Sequence, residues 1–283
     1  MAAVRFSRFA RRTVVAASCL VTGLLITTAA GCGSDGSPSA TPAHSPGRSG
    51  TTPEQGPSAN TGANAAVVFE GKRLPVFAPP PPPQPITAPT GALAPIYSRI
   101  PVHQQRVAFL TMDDGQTQLS TAGPLMAAAH IPFTMFLIGP VAAKNPPFFE
   151  RLTSEGGVIE DHTLTHPIMR GLSYARQRQE ICGARDLLHS TFQSTPRFFR
   201  PPYGDYDHNT LRAVHDCGLR AAFNWAETVN GGKVYYQTPI HQIEPGDIIL
   251  MHFRPAFVSD VLAALNAIHQ AGLTPALLEN YVN

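Results

Sequence analysis

The chain has 283 residues, a formal net charge of +2, and 43% hydrophobic against 14% charged residues. So small a charge gives no electrostatic case for nucleic acid, and no basic face or base-stacking aromatic motif is present, although an anionic polymer is not excluded as a partner. Composition is uneven along the chain, and the first third is not folding material.

Arg5, Arg8, Arg11 and Arg12 form a basic region ahead of an apolar stretch at 13–30. That stretch is too short and too poorly flanked for a membrane span and reads as an export signal. The adjacent Arg11-Arg12 leaves the twin-arginine route open beside the general one. Ala29-Ala30-Gly31 before Cys32 resembles the lipobox of bacterial lipoproteins, with Ala29 where leucine is usual. The expectation is therefore a signal peptide over 1–31 and a lipid anchor on Cys32, with simple cleavage and secretion as the alternative. Residues 32–90 are rich in Ser, Thr, Gly and Pro and end in the run Pro79 to Pro83, which predicts a flexible tether with a stiffer polyproline II spacer. Within it, 67–69 and 74–77 could add a small strand. From 91 to 283 the composition is globular, enough for one domain with one core.

The apolar run 106–112 predicts a strand buried on both faces. A helix follows at 119–130 despite Pro124, then a strand at 131–138 ended by Gly139-Pro140, a helix at 147–155, and a strand at 157–160 leading into Asp161-His162-Thr163-Leu164-Thr165-His166-Pro167. Residues 173–192 read as a long helix capped by Ser173, with Ile181, Ala184, Leu188 and Phe192 on one stripe. A strand at 197–200, a helix at 207–217, strands at 219–225 and 247–252, a helix at 258–271 and a strand at 273–277 complete the domain. Val258, Val261, Leu262, Leu265 and Ile268 give the last helix an inward face. Strands alternating with helices imply a parallel sheet with right-handed crossovers, and about seven such units argue for an irregular α/β barrel. Each polar cluster falls just after a strand, at the carboxyl end where barrel enzymes keep their chemistry.

In Thr111-Met112-Asp113-Asp114-Gly115 two carboxylates stand side by side. Neighbours on a strand point to opposite faces, so both acids can serve one site only where the strand stops, and Gly115 is expected to make that stop. His162 and His166 are four apart, which on a helical turn would turn both to one cation; with a carboxylate they make an open zinc shell. Arg200, before Pro201-Pro202-Tyr203-Gly204, reads either as a structural salt bridge at a rigid turn or, at a site holding Asp113, as the residue that orients its carboxylate by a charge-assisted fork. His252, ending a strand, reads as a satisfied core histidine or as a proton donor, and its place at the strand's carboxyl end favours the donor. Of the four cysteines, Cys182 and Cys217 lie in the domain; an exported chain favours a disulfide between them, with two buried thiols as the alternative.

Taken in order, residues 111–115, 162–166, 200–204 and 250–252 resemble the motifs of the polysaccharide deacetylase family, carbohydrate esterase family 4, also called the NodB-homology domain. The similarity covers nearly all of 105–280, and 133–139 and 245–250 resemble the family's second strand and its approach to the last motif. The resemblance implies a distorted (β/α) barrel and metal-assisted removal of acetyl groups from N- or O-acetylated sugars. It makes Asp114, His162 and His166 the ligands of one divalent ion, zinc first, with cobalt, nickel or manganese as others. It makes Asp113 the general base, His252 the acid for the departing amine, Arg200 the residue that fixes Asp113, and the backbone N–H of Tyr203 an oxyanion donor. Trp225 and Leu250 would line the acetyl pocket.

The chain also departs from the pattern. Met112 and Gln116 replace the commoner phenylalanine and proline, and Phe253 stands where the family often has aspartate. Where the family has a tryptophan followed by an aspartate that steadies the catalytic histidine, this chain reads Asn224-Trp225-Ala226-Glu227-Thr228, so Glu227 is nominated as the partner of His252. The expected whole is an exported, monomeric, lipid-anchored deacetylase on the outer face of the cytoplasmic membrane. Peptidoglycan N-acetylglucosamine is the first substrate, and chitin-type or O-acetylated polymers are alternatives. A sugar-binding lipoprotein without turnover and an amidase acting on a non-sugar amide are readings from other classes.

Overall fold

The structure, a computed structural model, describes residues 67–283. The export signal, Cys32 and most of the tether lie outside the described residues. In chain order the strands and helices are β1 Val68–Phe69, β2 Lys72–Arg73, β3 Ile96–Tyr97, β4 Val107–Asp114, α1 Ala122–Ala129, β5 Phe133–Leu137, α2 Gly139–Ala143, α3 Pro146–Ser154 and β6 Gly157–Asp161. They continue with α4 Tyr174–Phe192, β7 Phe198–Phe199, α5 His208–Asp216, β8 Ala221–Phe223, β9 Glu227–Asn230, β10 Lys233–Tyr236, β11 Ile248–His252, α6 Phe257–Gln270 and β12 Thr274–Pro275.

The apolar run predicted as a two-faced strand becomes β4, buried throughout except at Asp114. It lies in the middle of a curled sheet ordered β10-β9-β11-β4-β5-β6-β7-β8-β3, with β12 pairing β4 at the side. All these pairings are parallel except the β9–β10 hairpin. This is the expected α/β architecture, but the barrel is distorted: β3 and β10 end the sheet without pairing to each other, so it closes only part of the way round.

Alternation along the strands sorts two cores. Ala108, Leu110 and Met112 of β4 pack outward with Leu125 and Met126 of α1, Phe149 and Leu152 of α3, and Val261, Leu265 and Ile268 of α6. Val107 and Phe109 point into the curl with Phe136, Phe198, Phe223 and Ile248, where Leu278, Tyr281 and Val282 close the amino end of the strands. Phe109 and Tyr281 meet edge to face, 5.0 Å between centroids. Ile181 of α4 joins Phe199, Ala213, Val214 and Leu219 in a third cluster.

Several expected boundaries move for physical reasons. α1 begins at Ala122 rather than 119, which brings Pro124 into the first turn, where a missing N–H costs no helical bond. Gly139-Pro140 ends β5 as expected but opens the short helix α2, with proline at its start. Ser173 caps α4, its side chain accepting from Arg176 N at 3.3 Å. The hairpin β9–β10 was not expected; Gly231 and Gly232 form its turn, both at positive φ (61° and 73°), which a two-residue type I′ turn demands. Cys182 and Cys217 are joined by a disulfide that ties α4 to the end of α5. A hollow of about 530 Å³ at the amino end of the strands, between Phe77–Pro80 and residues 130–132, contains none of the predicted site residues. Among the described residues no helix is long and apolar enough to cross a membrane.

Candidate active site

β4 delivers Asp113 on its inward face, 2% exposed. The turn that brings Asp114 to the same side starts one residue earlier than expected: Asp114 itself carries φ +77°, followed by Gly115 at +84°. Gly115 is still required, because a Cβ there would lie 2.8 Å from the Phe149 ring. Across the sheet β11 runs parallel to β4 with His252 in register with Asp113, so the two side chains face the inside of the curl as neighbours.

The histidine pair converges without a helical turn. Residues 162–166 form an irregular loop after β6, with Thr163 at φ +73° and His166 at +56°. The expectation of a helical face is thus corrected. A β-branched residue held at positive φ is costly and persists only where its surroundings over-determine it. The outcome is still a pair: the two Nε2 atoms lie 3.2 Å apart, and Asp114 Oδ1 is 3.5 Å from His162 Nε2 and 3.3 Å from His166 Nε2.

These three atoms fit a divalent cation. His162 Nδ1 lies 2.7 Å from the carbonyl of Arg200. A carbonyl only accepts, so the proton sits on Nδ1 and the Nε2 lone pair faces the cluster. Asp114 Oδ1 is buried with no protein donor. Lone pairs facing one another at such distances repel unless a cation lies among them, and the spacings match the edge of about 3.3 Å that a tetrahedron with ~2.0–2.1 Å bonds requires. Among the described residues, Asp114, His162 and His166 are the one His/Cys/Asp/Glu group so arranged.

Burial pushes the Asp114 carboxyl up, but the imidazoles around it, His162 first, hold it below the usual carboxylate range. Burial pulls His166 below its ordinary value, reinforced by His162. Burial also lowers His252, against the pull of Asp113 and with the help of Arg254.

Arg200, fully buried at the end of β7, donates from Nη1 to Asp113 Oδ1 and to Thr111 Oγ1, each at 2.7 Å. The expected fork is corrected to a single charge-assisted bond, because Nε and Nη2 point to the carbonyls of Phe223 and Asn224 at 3.3 and 3.2 Å. Asp113 Oδ2 takes no part in the Arg200 contact, and His162 Nε2, which presents its lone pair, lies 3.8 Å away. The guanidinium also lies over the Phe136 ring, 4.2 Å from its centroid.

Tyr203 stands at φ +62° in the turn after Arg200, its side chain 66% exposed and its ring against that of His166, 4.8 Å between centroids. Gly204 leaves room for Trp225, whose ring would meet a Cβ there at 3.0 Å. Asp113, Asp114, His162, His166, Tyr203, Trp225, Leu250 and His252 thus line one cavity of about 350 Å³. Thr228 and Arg254 also line it and were missed; both lie on the inward phase of residues already recognised, Thr228 beside Leu250 and Arg254 two after His252.

Glu227 does not join them. β9 pairs with β11 so that Glu227 is in register with Ile249 and Thr228 with Leu250. Ile249 packs outward and Leu250 and His252 inward, so the alternation of the strand turns Glu227 away from His252. It instead meets Asp247, which Arg99 Nε approaches at 2.6 Å. Burial first, then Asp247, pushes the Glu227 carboxyl up to about 9. His252 Nδ1 is left buried with no hydrogen-bond partner in the protein.

A parallel sheet that gathers its polar residues at the strands' carboxyl ends is a barrel-type enzyme scaffold. The chain belongs to the polysaccharide deacetylase family, whose sequence model matches residues 101–222. It is 30% identical over 156 residues to a chitooligosaccharide deacetylase of Bradyrhizobium sp. (strain ANU 289), covering 52% of this chain and 70% of that one. It is 30% identical over 161 residues to a peptidoglycan-N-acetylglucosamine deacetylase of Bacillus cereus, covering 55% of this chain and 58% of that one. The fold is similar to that of a family 4 pseudoenzyme from Bacillus anthracis, with a TM-score of 0.55, 18% identity and coverage of 62% and 65% of the two chains.

Proposed function

We propose that the chain is a metal-dependent hydrolase that removes acetyl groups from an N-acetylated cell-envelope polysaccharide, peptidoglycan N-acetylglucosamine first. One observation carries this reading: an Asp-His-His donor set, an arginine-held aspartate and a facing histidine share one cavity of about 350 Å³. The Bacillus cereus relative supports the choice of polymer, and the Bradyrhizobium relative supports a chitin-type oligosaccharide as the nearest alternative. An export signal over 1–31 and a lipid anchor on Cys32 would hold the enzyme beside such a polymer, as a monomer on the outer face of the membrane.

Asp114, His162 and His166 would hold the cation, zinc by the nature of its donors. When bound, it supplies Lewis-acid polarisation of the acetyl carbonyl and a lowered pKa for water. Asp113, tied through Oδ1 to Arg200, keeps Oδ2 to take the proton of the attacking water. The backbone N–H of Tyr203 would donate to the oxyanion. His252, facing Asp113 across the hollow, would protonate the amine as it leaves. Trp225 and Leu250 would enclose the acetyl methyl group.

A second reading is favoured by one feature. His252 lacks a partner on Nδ1, so the proton donor is not oriented by a carboxylate, and a sugar-binding protein with little turnover is its natural competitor. Acetate release by the purified chain, from N-acetylglucosamine oligomers and from peptidoglycan, with chelator and with added Zn²⁺, separates the two. Release that chelator abolishes and Zn²⁺ restores supports the deacetylase, and the better polymer names the substrate. Saturable binding of the oligomers by the zinc-loaded chain without release supports the binder.

A further inference from the structure

The loop between the two histidines is not held by itself. Four consecutive backbone amides each donate to a side-chain oxygen: Thr163 to Asp161 Oδ1 at 2.8 Å, Leu164 and Thr165 to Glu180 Oε2 at 3.1 and 2.8 Å, and His166 to Thr163 Oγ1 at 2.9 Å. Glu180, on α4, also accepts from Thr165 Oγ1 through Oε1 at 2.7 Å. It is the one member of this set that comes from outside the loop and its strand. It is fully buried, and its charge is met by Arg176, one turn earlier on α4, at 2.6 Å. Three residues further along α4, Gly183 leaves the space that Leu164 fills; a Cβ there would lie 2.6 Å from Leu164 Cδ1.

We infer that Glu180 is a positioning residue for the cation site: its carboxylate grips the two central amides of the loop and so holds His162 and His166 at ligand spacing. The physical case rests on the loop's backbone. Thr163 and His166 sit at positive φ, a conformation that neither residue type prefers, and the loop makes no repeating hydrogen bonds of its own to impose it. A buried carboxylate accepting three hydrogen bonds fixes the loop from α4, and α4 is in turn anchored by the Ser173 cap and the disulfide to Cys217. Partners that orient a ligand from outside its first contacts typically carry roughly 10–100-fold in metal affinity.

The test is the dissociation constant for Zn²⁺ itself, measured on the full chain by competition with a chromophoric chelator, together with the absorption spectrum of the Co²⁺-loaded protein. Glu180→Ala should weaken Zn²⁺ binding roughly 10–100-fold and alter the Co²⁺ bands. Glu180→Gln, which keeps an oxygen for the two amides, should restore binding to within about threefold of the parent by the same reasoning. Arg176→Ala removes the ion pair but none of the loop contacts and should bind as the parent does. If Glu180→Ala does not fold, Glu180→Met keeps the volume, removes the acceptors and carries the same expectation. A folded Glu180→Ala or Glu180→Met protein with parental Zn²⁺ affinity overturns the inference, as does an equal loss in Arg176→Ala. The inference rests on Asp114, His162 and His166 being the cation ligands. A parent chain that binds no Zn²⁺ refutes that assignment, whereas a parent that binds beside an unaffected Glu180→Ala refutes only the role of Glu180.

Discussion

Replacing Glu279 by glutamine should flatten the pH dependence of stability between about pH 5 and 8. Glu279 lies under the sheet at the amino end of the barrel, 7% exposed, where Thr134 Oγ1 donates to both of its oxygens at 2.9 Å. Opposite it is Glu160, 1% exposed, which accepts from the amides of Arg197 and Phe198 at 2.6 and 2.7 Å. The charged groups facing this pair from the neighbouring strands reduce to Arg197, too few to neutralise two buried carboxylates. Burial first, then Glu279, pushes Glu160 well up, and burial raises Glu279 from 4.5 to about 7. A carboxyl with a raised pKa binds its proton more tightly when folded. Its contribution is therefore fully present below the unfolded value near 4.5 and is lost as pH rises through 7, to the extent of about 3 kcal/mol. Glutamine cannot ionise, so the variant keeps what the parent loses. Urea unfolding followed by the fluorescence of Trp225, the single tryptophan, at pH 5, 6, 7 and 8 measures the difference. Variant and parent should diverge with rising pH, the variant becoming the more stable. A difference that stays constant from pH 5 to 8 refutes the reasoning.

Asp113→Asn should lower acetate release about 10²–10⁴-fold, the usual scale of general-base catalysis, while Zn²⁺ binding stays parental; equal loss in both would make Asp113 a ligand instead. Glu227→Gln should leave the pH profile of acetate release unchanged, because the strand turns Glu227 away from His252, and a shifted profile would restore it to the mechanism. The same variant should change stability at pH 7 by less than about 0.5 kcal/mol, since a carboxyl pushed up to about 9 is already protonated there and glutamine nearly matches its shape.

What the sequence made legible was whatever depends on local order. β4 announces itself by unbroken apolarity, and the carboxyl ends of β4, β6, β7 and β11 announce the site because polar clusters interrupt apolar runs there. The convergence of Asp114, His162 and His166 and the Arg200–Asp113 contact were legible as well, since each motif supplies its own side chains. Conformation and phase were not. Sequence distance suggested a helical turn for His162 and His166, whereas the loop reaches the same convergence through positive φ at Thr163, which no residue-type rule anticipates. Glu227 was the acid nearest to the missing aspartate in sequence. On a strand, nearness by one residue means the opposite face, and the pairing of β9 with β11 that sets that face is long-range. Glu180 was invisible for a related reason: it looked like one more polar position on an amphipathic helix, and its role exists only because α4 packs against the loop after β6. The Gly231-Gly232 turn was a signal that went unread.

Arg200 shows how few residues are needed to relate the parts of the site. Its guanidinium fixes Asp113, while its backbone carbonyl takes the Nδ1 proton of His162 and thereby turns the Nε2 lone pair toward Asp114. The side chain acts on Asp113 and the main chain on His162, so a substitution at this position removes the first handle and spares the second. The remaining guanidinium bonds, to the carbonyls of Phe223 and Asn224, attach the same residue to the strand that leads to Trp225. β4, the His162 loop and the end of β8 are therefore tied to one buried guanidinium. A buried charge of this kind is costly unless its donors are met, and here four of the five N–H groups have acceptors, one from Nε, two from Nη1 and one from Nη2. His252 lies outside this frame, since no bond of the Arg200 side chain reaches it. It stands at the end of β11 in register with Asp113, and its Nδ1 has no hydrogen-bond partner in the protein, so its ring orientation is the least determined feature of the proposed site.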